Sequence, residues 1–118
     1  MTLGDRLFAT LQALVAGRCT PAGTANTTTL PRITYSIVGG SPINYVEDTL
    51  ADHERPRVQL SVWAATFNAA DVLMQQVEEA MQASPQFTAR RIGGPLTVFE
   101  EDTRIHGRHQ DFTVWHAR

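Results

Sequence analysis

Three of the four histidines, His106, His109 and His116, fall close together near the C-terminal end of the chain. Zinc takes imidazole nitrogens readily, and Glu100 or Asp102 could supply a third ligand. The pattern argues against a metal site. If these residues form a hairpin, His106 and His109 lie across or beyond its turn and need not converge. No cysteine and no His-Glu-x-x-His pattern supports them. Solvated histidines are the better expectation.

The carboxylates of Glu100, Glu101 and Asp102 could work as an acid–base pair, with Asp111 on the partner strand. Adjacent strand residues point to opposite faces, so only Glu100 and Asp102 share a side, where Arg104 or Arg108 could pair with them. An exposed, charged hairpin that discourages edge-to-edge aggregation is the reading these residues favour. The single cysteine, Cys19, stands in a Gly/Pro-rich stretch with no histidine near it, and no serine occupies a Gly-x-Ser-x-Gly elbow. Gly39-Gly40 and Gly93-Gly94 lack the spacing or the lysine of a phosphate cradle and read as turn glycines. No cofactor is implied. Trp63 and Trp115 each stand at or near a strand end. A half-exposed Trp on a sheet face turned away from the helices is a frequent interface anchor.

The elements that must carry these residues can be read from periodicity. Leu3, Leu7, Leu11 and Leu14, widened by Phe8 and Val15, predict a helix over residues 3–16, with Thr2 as N-cap, Asp5 at the third helical position and Gly17 as stop. Residues 18–31 are Thr, Ala, Gly, Asn and Pro with little apolar content and read as a surface connection. Within it, Asn26-Thr27-Thr28 is a polar loop rather than a glycosylation site. A strand is expected over Arg32–Val38, ended by Gly39-Gly40. Residues 41–55 combine a short apolar piece, Ile43, Tyr45 and Val46, with an acidic run, and form an interface candidate.

Arg57–Ala64 alternates cleanly, with Val58, Leu60, Val62 and Ala64 on one side and Arg57, Gln59, Ser61 and Trp63 on the other. A second helix follows over residues 69–83, with Asn68 as N-cap and Phe67 and Val72 as a hydrophobic staple. Its buried stripe should be Val72, Leu73, Val77, Ala80 and Met81, and Ser84 before Pro85 ends it. Strands are then expected over 87–92, 96–102 and 108–116, the last two as a hairpin, with breaks at Gly93-Gly94-Pro95 and around Thr103–Gly107. The fold class is α+β: a mostly antiparallel sheet of four to five strands with two helices on one face, in one domain spanning 1–118.

At 118 residues and 42% hydrophobic, the chain can bury a core without disulfide or metal staples. The net charge of −2 is neutral over residues 1–59, the excess acid lying in 60–118, so neither half carries the basic footprint of a nucleic-acid binder. No apolar run approaches the ~18 residues a membrane span needs, and the lone cysteine and the absence of a signal peptide predict an intracellular compartment.

Three segments taken together, LPRITYSIVGG (30–40), RVQLSVWAATFNAADVL (57–73) and EDTRIHGRHQDFTVWH (101–116), resemble the tail-completion proteins of long-tailed bacteriophages, the head–tail joining or tail-terminator subunits. The resemblance spans nearly the whole chain, including the Ala16-Gly17-Arg18 turn after the first helix. It implies a structural, non-catalytic virion protein of the tail or neck, made in the host cytoplasm, that assembles with itself into a ring, commonly a hexamer. The tail tube protein and head-completion or connector proteins would be its other partners, and DNA would meet it only by passage through the lumen. An interface built from Ile43, Tyr45, Val46, Trp63, Glu100, Asp102, His106, Arg108 and Trp115 would serve that assembly.

Overall fold

A computed structural model describes residues 1–23, 29–40 and 53–117. Ile43, Tyr45, Val46 and Asn26-Thr27-Thr28 lie outside the described residues. Helix α1 (Leu3–Leu11) opens with a reciprocal capping box. The Asp5 amide donates to Thr2 Oγ1 at 3.1 Å and the Thr2 amide to Asp5 Oδ2 at 3.0 Å. Those hydrogen bonds favour the ionised form and hold the Asp5 carboxyl below its ordinary value. The helix is shorter than residues 3–16: it narrows to a 3₁₀ turn over Gln12–Val15, and Ala16 joins Gly17 in left-handed conformation. This tightening packs Val15 into the core behind Leu3, Leu7 and Leu11, while Phe8, one position off that line, stays exposed.

The chain from 18 to 31 contributes more than a connection. Cys19–Pro21 forms β1, parallel to the Ile33–Tyr35 part of β2 (Arg32–Gly40). Cys19 is therefore a buried core residue, and burial pushes its thiol pKa up to about 11, which corrects its placement in an open turn. Three residues are too few to show a period.

β3 (His53–Glu54) and β4 (Pro56–Ala64) pair with β6 (Ile105–Ala117) in one continuous register, Glu54 opposite His116 and Arg57 opposite Thr113. They share one position, so the sheet has five positions in the order β1, β2, β3/β4, β6, β5, antiparallel except for β1. The expected α+β class holds. Val58, Leu60, Val62, Ala64, Phe112 and Val114 line the inner face and pack on Leu7, Leu11, Val15, Leu73, Met74, Val77 and Met81. Each of these buried side chains other than Ala64 contributes about 1.5–3 kcal/mol of transfer free energy.

Helix α2 (Phe67–Ala83) starts two residues before the expected point, because Thr66 rather than Asn68 caps it, accepting the Ala69 amide at 3.1 Å. The staple positions then fall on Ala65 and Ala70, and Phe67 and Val72 stand exposed at 49% and 46%. Ala70 and Met74 take places in the buried stripe that Val72 was expected to fill. Ser84 is extended before Pro85 and ends the helix, as the sequence predicts.

Two expected strands are one: β5 (Thr88–Glu100) runs through Gly93-Gly94-Pro95 as a bulge, Ile92 pairing with Asp111 and Leu96 with His109. The buried Gln110 makes this affordable, since its amide donates to the Ile92 and Gly93 carbonyls at 3.1 Å each. β6 likewise begins at Ile105 rather than Arg108. Gly107 belongs to the strand, not to a turn, and a Cβ there would meet the Trp63 ring at 2.7 Å.

Candidate functional site

Alternation along β6 decides the histidines. His106 and His116 point to the helix-covered face and His109 to the open one, since His106 pairs with Ala64 and His109 with Ser61. They do not converge, and among the described residues no group of three or more His, Cys, Asp or Glu could hold a metal ion. Nor are they freely solvated: His106 and His109 are half-buried and His116 is buried. His106 packs on the Phe99 ring with centroids 4.8 Å apart, and His116 is buried, its Nδ1 2.9 Å from the Ala117 carbonyl and its Nε2 3.5 Å from Glu54. His109 shares a 2.5 Å hydrogen bond between its Nδ1 and Ser61 Oγ. Burial lowers its pKa, and the nearby Asp111 charge offsets only part of that.

The carboxylates separate as well. Glu100 closes β5 and accepts from Thr103 Oγ1 at 3.0 Å, while Asp102 lies in the turn that follows. Arg108, expected to pair with them, instead reaches Asp71 of α2 at 3.0 Å, and Asp111 accepts from Arg57 Nε at 3.0 Å. No two carboxylates of this group face each other across a common space. Glu100 and Asp102 thus shape and charge the hairpin while Arg108 ties its strand to α2, and the arrangement of these residues supplies no acid–base pair.

What the structure does bring together is the open face of the sheet, where directly paired residues form rows across the strands. One row is Arg32, Trp63, Gly107 and Val98, and the next but two is Arg57, Thr113 and Arg90. Trp63 is held on three sides. Its Nε1 donates to Thr34 Oγ1 at 3.2 Å, His109 meets it edge-on with centroids 5.6 Å apart, and the Arg32 guanidinium lies 5.9 Å from its ring centre. Trp115 shares this face, opposite Thr88, with 40% of its surface exposed. Both tryptophans therefore look away from the helices. The set also includes Arg32, Arg57 and Arg90, which sequence reasoning did not single out. Their signal was present in the strand alternation that put Arg57 beside Trp63.

On the far side of the sheet, α2 carries Asp71, Glu78 and Glu79 and no basic residue. Asp71 is bridged to Arg108 and Glu78 to Arg91, and Val72, Gln75, Gln76, Glu79 and Gln82 make its exposed stripe. The two outer surfaces of the molecule thus differ in charge as well as in shape.

Compared with known proteins, the model of the family described as Tail completion protein gp17 matches residues 5–117. That range takes in both helices and all six strands but for the first two residues of α1. No curated protein matches the chain.

Proposed function

Since this chain belongs to the tail completion protein gp17 family and is a structural phage tail protein, we propose that it assembles into a ring at the end of the tail tube. There it terminates the tail and takes part in joining the tail to the head. The ring is six-membered, and its neighbours are the tail tube protein on one side and head-completion or connector proteins on the other. DNA meets it only on its way through the lumen.

The observation that carries this reading is the open sheet face combined with a match along the whole chain. A closed ring requires a patch that meets a different patch on the next subunit. Trp63 and Trp115 on a face uncovered by the chain's own helices are suited to such a contact. Among the described residues no helix is long and apolar enough to cross a membrane. The hairpin residues Glu100, Asp102, His106 and Arg108 lie at one end of the sheet, where they would contact the next component along the tail axis.

Electron microscopy of particles made with and without the gene tests the reading. Without it, tails should be of irregular length and fail to join heads, and complementation should restore a ring at the tail end. Tails of normal length joined to heads in its absence would overturn it.

A further inference from the structure

We propose that the open sheet face of one subunit packs against the exposed stripe of α2 on a second copy of this chain. This rests on the ring reading and names the two surfaces that build the ring. The first argument is charge. Arg32, Arg57 and Arg90 project from the open face, Arg57 bridged to Asp111 and Glu100 lying out by the turn; on α2, which has no base, Asp71 and Glu78 are bridged to Arg108 and Arg91, and Glu79 has no ion pair among the described residues. Packing two open faces on each other would set these arginines against themselves, and like charges brought together at an interface are costly. Arg90 on the open face and Glu79 on α2 are the charges left to attract each other across the contact.

Shape and position agree. From Gly107 to Trp115 the central strand of the open face spans about 27 Å, and α2, at 17 residues, is about 25 Å long. Each surface has apolar anchors, the exposed Trp115 and the half-buried Trp63 on the sheet, Val72 and Phe67 on the helix. The two surfaces lie on opposite sides of a two-layer molecule, so the contact runs head to tail. It propagates from copy to copy instead of closing as a two-fold dimer.

Charge exchange in assembled tails tests this, using two exposed residues whose substitution should leave folding intact. Arg90→Glu should lower the yield of particles with completed tails about tenfold, and Glu79→Arg in the same chain should bring most of it back. In parallel, because both residues line one groove within a subunit, Arg90→Cys subunits are mixed with Glu79→Cys subunits, and oxidation should link one of each. The buried Cys19 is replaced by Ala in both chains. Normal assembly by Arg90→Glu, or a loss that Glu79→Arg leaves unchanged, overturns the pairing while rings on wild-type tails keep the ring reading intact. So does an Arg90→Cys variant that cross-links to itself, which means the open faces meet. If Arg90→Glu leaves rings intact but reduces retention of DNA in the particle, the open face serves nucleic acid and the proposal is wrong. Absence of any ring on wild-type tails removes the ring reading itself.

Discussion

The two faces of β6 are built from alternate residues of one strand and obey different rules. Phe112 and Val114 point inward, where they are nearly inaccessible and packed on helix side chains. His109, Asp111 and Trp115 point outward, where each is held by a specific neighbour or left half exposed. The inner face derives its stability from area and close packing, which tolerate no void. The outer face is a lattice of polar and aromatic contacts that keep side chains in place without excluding water. If the outer face serves assembly as proposed, stability and assembly are separable in this molecule, because they draw on opposite sides of the same strand.

The sharpest way to break this contrast is to open a void on the inner face. Phe112→Ala should lower the unfolding free energy by about 3–5 kcal/mol in denaturant titration, a large share of the roughly 5–15 kcal/mol typical of a domain. Gln110→Leu tests a fully buried polar member of that face. Losing its bonds to the Ile92 and Gly93 carbonyls should cost about 1–3 kcal/mol. Hydrogen exchange should then show β5 opening around the bulge while β4 stays protected. Gly107→Ala forces a Cβ against Trp63 from the other side and should cost about 1–3 kcal/mol, much of it recovered in the double variant with Trp63→Ala.

Smaller effects sharpen the comparison. His109 has a pKa depressed by burial, so as pH falls the unfolded chain takes up the proton first. Its contribution is full above about pH 6.5, the ordinary histidine value, and is lost as pH falls toward the folded value. His109→Gln should flatten that part of the stability-versus-pH curve, and an unchanged slope would place the titration elsewhere. Trp115→Ala should move stability by no more than about 0.5 kcal/mol, as expected of a half-exposed side chain. It should nonetheless impair tail completion, and a large loss of stability instead would mean that the outer face also holds the fold together.

Much of this molecule is legible in its sequence where the signal is local. The Thr2/Asp5 capping box, the alternation of β4, the end of α2 at Ser84-Pro85 and the α+β class all follow from spacing and from the chemistry of single turns. The start of α2 is not legible locally because Thr66 and Asn68, two residues apart, are both good caps, and the choice between them depends on which side chains the core accepts. Burying Ala70 and Met74 settles it for Thr66. The candidate site was half visible: strand alternation put Trp63 opposite the core side, yet the row that joins Arg57 to Arg90 through Thr113 needs three strands in register.

What the sequence by itself determined is the periodic part: which stretches are helix or strand, and which side of each is apolar, because those follow from bond geometry repeated every two or 3.6 residues. Tertiary structure alone decided the rest. β1 exists because β2 offers it a free edge, the Gly93–Pro95 bulge stays within a strand because Gln110 reaches its carbonyls, and Gly107 is required by a ring 44 residues away in the chain. In each case the deciding group comes from a different part of the chain, and no local period records a partner that only folding brings near.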